Sequence, residues 1–138
     1  MTLTLTDTII VPIADRDDAR ATANALESHS TGRIIVVHVV EKGEGVPDKT
    51  PVEQSETVAD KAFATFRNTF PDAETRMLYQ RDVVGGIIDV ADEVAASAVV
   101  YRPRGGSRIV QFLAGDRSLR LITEADCPVV ALPEVEDG

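Results

Sequence analysis

Two runs of apolar residues constrain this chain more than any other feature. Ile9-Ile10-Val11-Pro12-Ile13 and Ile34 to Val40 show almost no alternation with polar residues, and the second is interrupted only by His38. A strand packed on one face alternates apolar and polar residues. A continuous apolar run must bury both faces, as the central strands of a helix-covered parallel sheet do. The first run exits into Asp15-Arg16-Asp17-Asp18, whose carboxylates suit the free N–H groups and positive end of a helix. After the second, Glu41 to Pro51 carries Gly43, Gly45, Pro47 and Pro51 among charges, which predicts a mobile surface loop.

The remainder alternates helix and strand signals. A helix from about Asp17 to Ser28 gathers Ala19, Ala23 and Leu26 on one side, and Gly32 turns the chain back. Helix two is expected over Pro51 to Phe70, with Val58, Ala62, Phe66 and Phe70 near helical spacing and Pro71 as its stop. Thr75 to Gln80, with Met77 and Tyr79 among polar residues, reads as an edge strand. Helix three, Asp82 to Val94, repeats Val84, Ile87, Ile88, Ala91 and Val94 despite Gly85-Gly86. Ala98 to Tyr101 is a short fourth strand, followed by Arg102-Pro103-Arg104-Gly105-Gly106-Ser107 and a helix over about Arg108 to Ala125. Cys127 to Leu132 is strand five, and Glu134 to Gly138 reads as a frayed acidic tail. Such alternation implies right-handed crossovers and a doubly wound parallel sheet. The 138 residues fit one domain, 1–138.

Charge narrows the partners. A formal net charge of −9 opposes attraction to nucleic-acid phosphates or anionic lipid, so neither DNA, RNA nor membrane is expected. No apolar run approaches the roughly 18 residues of a membrane span. Met1 to Thr8 lacks the basic start and apolar stretch of a secretory signal, which points to the cytoplasm. Only Lys42, Lys49 and Lys61 are lysines, the other basic residues being arginine. Concentrated salt screens the self-repulsion of such an acidic surface while the carboxylates keep it hydrated. A halophilic, in particular haloarchaeal, origin is therefore the expectation, with a GC-rich genome as the alternative source of the arginine bias. Cys127 is the sole cysteine, which excludes an intrachain disulfide; it is expected to be a small buried residue at a strand start.

Ligands in an open α/β sheet gather beyond the carboxyl ends of the strands, where the strand order reverses. The candidates therefore follow strands one and four. The stretch after strand four is rich in glycine and leads into a helix start, where free N–H groups and the helix dipole attract phosphate. Ala98-Val99-Val100-Tyr101-Arg102-Pro103-Arg104-Gly105, nine residues, Gly115-Asp116-Arg117-Ser118 and then Cys127-Pro128-Val129-Val130 resemble the C-terminal half of universal stress proteins. Thr8 to Ile13 and Ile35 to Val40 are similar to that family's first two strands. The resemblance spans nearly the whole chain. It implies a Rossmann-like, five-stranded parallel sheet in the order 3-2-1-4-5 with four flanking helices, and a stress-response role.

The family divides into members that bind ATP and members that do not, and its nucleotide motif is Gly, two residues, Gly, nine residues, Gly, then Ser or Thr. Here Arg102 stands at the first glycine position, Gly105 and Gly115 are kept, and Asp116 replaces the hydroxyl. The acidic residue that ends strand one and contacts the nucleotide aligns with Ala14. A carboxylate at Asp116, close to phosphate oxygens in a partly dry site, is repulsive unless a metal intervenes. The resemblance thus implies a member without family-style ATP binding and without a cofactor. If a nucleotide does bind, Gly105, Gly106, Ser107 and Gly115 form the phosphate cradle with Arg102 and Asp116 beside it. Pro12, Ala14 and Val39 then line the base and ribose side.

Arg102, Arg104, Arg108, Arg117 and Arg120 place five of the eleven arginines in this short region. Arginine grips phosphate well, so another anion is the alternative ligand. The simpler reading pairs these arginines with the protein's own carboxylates or its dimer contacts, Asp116 meeting Arg120 at helical spacing. His38 reads as a satisfied structural histidine and His29 as a solvent-facing one, and neither has metal-ligand spacing to a partner. Ser107 and Ser118 lack a nucleophile-elbow context, so no catalytic residue and no enzyme activity are expected. The acidic cluster Asp15, Asp17 and Asp18 invites comparison with phosphorelay receiver domains. Strand five, however, ends Ala131-Leu132-Pro133 without the lysine those need, and helix capping explains the cluster better. An edge strand as apolar as Val129 to Leu132 needs cover, which predicts a homodimer through strand five. The expected function is a non-catalytic stress protein acting through contacts with protein partners that the residues do not name. The alternative is a switch that binds a nucleotide or phosphate ligand in the loop after strand four.

Overall fold

A computed structural model describes residues 7–27, 29, 32–41, 50–80, 82–101 and 116–132. Among the described residues nine elements follow one another: β1 (Ile9–Pro12), α1 (Arg16–Glu27), β2 (Ile34–Glu41), α2 (Thr50–Thr69), β3 (Glu74–Gln80), α3 (Val83–Glu93), β4 (Ala98–Tyr101), α4 (Asp116–Glu124) and β5 (Val129–Ala131). The five strands form one sheet in the order β3-β2-β1-β4-β5, as the resemblance implies. Every pairing is parallel: Ile9 lies beside Ile34 and Ala98, Ile35 beside Glu74, and Val99 beside Val129.

Both faces of the central strands are covered, which is why β1 and β2 lack alternation. Ile9, Val11, Ile13, Ile34, Val36, Ala98 and Val100 pack with Ala19, Ala23 and Leu26 of α1 and Ala59, Ala62, Phe63 and Phe66 of α2. On the other face Ile10, Ile35, Val37, Val39, Val99 and Tyr101 meet Val83, Val84, Ile87 and Val90 of α3 and Leu121 of α4. The strand spacing thus sorts neighbouring residues into two separate apolar layers.

Several boundaries and faces differ from the expectations above. In α2 the buried stripe is Ala59, Ala62, Phe63 and Phe66, while Val58 is 39% exposed. A helical step of about 100° per residue puts Val58 on the flank of that arc, and Phe70 packs from just beyond the helix end, stacked on Phe66 with ring centroids 5.3 Å apart. The loop expected from Glu41 ends earlier, because Thr50 already starts α2. Strand β5 is shorter than Cys127 to Leu132: Pro128 has no amide to donate, although its carbonyl accepts from Val99 at 2.9 Å. Cys127 therefore precedes the strand and is half-buried rather than buried. The last helix is described from Asp116, so the expected start near Arg108 and the acidic tail lie outside the described residues.

Candidate functional site

The strand order reverses at β1. From β1 the chain moves outward through β2 to β3, then crosses back to β4 on the other side of β1. The carboxyl ends of β1 and β4 therefore border the crevice where this fold holds ligands.

The turn leaving β1 is held by short-range and cross-strand bonds. Ile13 continues the β1 direction, its amide donating to the Val37 carbonyl at 3.0 Å. The Ile13 carbonyl lies 3.0 Å from His38 Nδ1. A carbonyl only accepts, so Nδ1 carries the proton. His38 is 6% exposed on β2. Burial pushes its pKa below the ordinary value, against the weaker opposing pulls of the Ile13 carbonyl and the Asp15 carboxylate. His29 is exposed, as expected.

Just beyond, Asp15 caps α1: its Oδ1 accepts from the Asp18 amide at 2.8 Å, and its carbonyl accepts from the Ala19 amide. Asp18 reaches back in turn, its Oδ2 accepting from the Ala14 amide at 2.8 Å and its Oδ1 from the Thr22 hydroxyl at 3.3 Å. Asp18 is 3% exposed, an acid buried because hydrogen bonds compensate it. Asp15 and Asp18 of the acidic cluster are thus engaged in capping, as expected, while Asp17 is exposed in the first turn of α1. The burial of Asp18 was not anticipated; the reciprocal Asp15-x-x-Asp18 spacing, akin to a capping box, is the signal that could have shown it.

Of the proposed ligand-side residues, Pro12 and Ala14 stand at this end of the sheet. Val39 is at the matching height of β2, but its side chain is 4% exposed and packed among α3 residues. Arg102, Gly105, Gly106, Ser107 and Gly115 lie outside the described residues, and Asp116 is described only as the backbone start of α4. A shallow cleft of about 240 Å³ beside the start of α1 is lined by Asp15, Arg16, Asp17, Val58 and Lys61. Two carboxylates there balance two cations, giving no net pull on an anion.

The expected meeting of Asp116 with Arg120 falls on a side chain outside the described ones; the partners described for Arg120 are Asp82 and Glu124. The Arg120 guanidinium donates to both carboxylate oxygens of Asp82, at 3.0 and 2.9 Å, and to Glu124 at 3.0 Å. Arg120 in turn holds Asp82 below the usual carboxylate range, with the amides at the start of α3 adding to the effect. This arginine follows the simpler reading, serving the protein's own carboxylates. Among the described residues no group of three or more His, Cys, Asp or Glu side chains is placed to hold a metal, and no described helix is long and apolar enough to cross a membrane.

No curated protein matches the chain. Solved structures do. The universal stress protein of Archaeoglobus fulgidus aligns at 21% identity, covering 94% of this chain and 95% of that one with a TM-score of 0.66. UspA of Lactobacillus plantarum aligns at 20% identity over 94% of this chain and 99% of its own, with a TM-score of 0.67. The Archaeoglobus protein has also been solved in complex with dAMP, where it aligns at 21% identity over 94% of this chain and 100% of that one, TM-score 0.66. At these identities the likeness speaks for the fold. Membership rests on the sequence model of the family, which matches residues 6–133, nearly the whole chain. The chain belongs to the universal stress protein family.

Proposed function

We propose that this protein is a non-catalytic, cytoplasmic stress-response protein that acts as a homodimer through protein contacts and does not bind ATP in the manner of its nucleotide-binding relatives. The observation that carries this reading is the turn after β1. Ala14 stands where the family's nucleotide-contacting acid belongs, and the nearby carboxylates of Asp15 and Asp18 are tied to the amides of Asp18 and Ala14. To reach a ribose, either acid would have to abandon a cap whose loss costs about 1 kcal/mol. Asp116 in place of a hydroxyl adds repulsion at the phosphate side. Support for the dimer comes from β5, which pairs with β4 alone within the described sheet while Val129 and Val130 are only half-buried and Ala131 is exposed. Antiparallel pairing with a second copy would satisfy that edge.

Calorimetric titration of ATP with magnesium, in low and in molar salt, tests the nucleotide half of the proposal. The expected result is no heat and no competition at millimolar ATP. Micromolar binding would overturn it. Sedimentation at micromolar protein tests the dimer half, and a monomer alone would sink it.

A second reading has its own support. The Archaeoglobus fulgidus relative was solved with dAMP, and another universal stress protein with cAMP. In that reading the arginines around the glycine-rich stretch take a nucleoside monophosphate or another phosphorylated ligand in a pose that does not need an acid at position 14. Titration of AMP distinguishes it: binding that weakens as salt rises would favour the switch over the purely protein-contacting role.

A further inference from the structure

Helix α3 opens with an unfavourable sequence. Gly85 and Gly86 sit in its first turns, where glycine is a poor helix former by up to about 1 kcal/mol per residue relative to alanine. The packing gives a reason for Gly85. A Cβ there would lie 2.9 Å from Oδ2 of Asp82, the helix N-cap. The space that a Cβ would need is crowded by the carboxylate that receives Arg120, 38 residues away in sequence, through two N–H donors. Glu124 holds the same guanidinium from one turn further along α4. The other described anchor of α4 is Leu121, fully buried against the α3 layer, whereas its neighbour Ile122 is 55% exposed. Among the described side chains of this nine-residue helix, one apolar residue and one ion-pair cluster thus tie it to α3, and β5 begins only five residues after its end.

We infer that Asp82, Arg120 and Glu124 form an ionic latch, with Gly85 as the gap that admits it, and that salt loosens the latch and so frees α4 locally from a sheet that stays folded. The cluster is half-exposed, Arg120 at 42% and Asp82 at 49%, so mobile ions reach it. Screening acts on such pairs far more than on the apolar layers beneath them. This inference does not depend on the dimer or on any ligand.

Amide hydrogen exchange on the full chain tests it, with α4 compared against β2 in every sample. Arg120→Gln and Asp82→Asn should each lower protection in α4 by about twofold to fivefold, the range of an exposed ion pair, and leave β2 unchanged. The double exchange D82R with R120D should restore part of the loss. Gly85→Ala should loosen α4 as well, because the new methyl displaces the Asp82 carboxylate, even though alanine favours the helix it joins. In the unmodified protein, α4 protection relative to β2 should fall as KCl rises. Unchanged α4 protection in R120Q, or equal losses in α4 and β2, would overturn the latch. Full α4 protection in G85A would overturn the role given to Gly85.

Discussion

At the scale of single residues, two buried polar side chains decide the shape of the turn after β1. Among the described residues Asp18 is the partner of the Ala14 amide. Removing the buried Asp18 carboxylate takes an acceptor from the half-buried Ala14 amide and from the buried Thr22 hydroxyl together, at a cost of about 1 to 3 kcal/mol. Asp18→Ala should therefore lower the unfolding free energy by about 2 kcal/mol in urea titrations, and Asp18→Asn, which keeps an acceptor oxygen, by less. His38 makes a second prediction through protons. Its folded pKa is depressed by burial below the ordinary 6.5. Above that pH both folded and unfolded chains hold it neutral, so it adds no pH dependence. Below it the unfolded chain takes up a proton that the folded chain resists, and stability falls as pH falls, by up to about 1.4 kcal/mol per pH unit. Stability curves between pH 7.5 and 5 should show that slope, and His38→Gln should flatten it. Asp82 and Glu74, whose folded pKa values are lowered by Arg120 and Arg33, act in a separate window at and below the carboxylate range.

Among the elements, α3 ends as unusually as it begins. Ala96 donates to the Ala91 carbonyl at 2.9 Å and Ala95 to that of Asp92 at 3.2 Å, the paired bonds of a Schellman motif. The residue that turns left-handed there is normally glycine, yet here it is Ala95 with φ 52°. A Cβ in that conformation costs about 1 to 2 kcal/mol. Ala95→Gly should accordingly raise the thermal midpoint, by a gain of about 0.5 to 1 kcal/mol after the entropy of glycine in the unfolded chain is set against it. A fall in the midpoint would mean that the Ala95 methyl makes a contact worth more than the strain. The elements differ in how readily the sequence reveals them. Ile9 to Ile13 and Ile34 to Val40 disclosed β1 and β2 because both faces of each strand are buried, leaving no polar residue to blur the run. Asp15 and Asp18 disclosed the start of α1 because capping is local. Val58 misled because four-residue spacing fits a stripe and also its flank. Ala95 gave no sign, since the motif that needs it is backbone geometry. The Asp82–Arg120 pair was equally hidden, because only the docking of α4 on α3 brings two residues 38 apart in sequence within reach. At the candidate site, Ala14 enters only through the resemblance to the family, whereas the bonds made by Asp15 and Asp18 beside it depend on the three-dimensional shape of the turn.

Taken as a whole, the molecule sets local and global electrostatics against each other. Its 23 acidic residues against 14 basic ones repel one another in the compact state, and dilute buffer leaves that repulsion unscreened. Among the described residues the exposed pairs Arg33–Glu74, Arg76–Glu93, Arg120–Asp82 and Arg120–Glu124 pull the other way, but each contributes at most about 1 kcal/mol and is weakened by the same salt. Nine uncompensated charges acting over the whole surface outweigh such local contacts, so the net effect of salt should be stabilising. Unfolding midpoints should rise as KCl is taken from 0.1 to 2 M, most steeply at the low end, where screening changes fastest. Equimolar sucrose serves as the control, because it strengthens burial by exclusion from the surface and leaves charge repulsion in place. A midpoint already maximal in dilute buffer would remove the halophilic reading of the acidic surface and leave genome composition as the source of the arginine bias. A midpoint that climbs with KCl while α4 exchanges faster would separate the two scales: a sheet that salt consolidates, carrying one helix that salt releases.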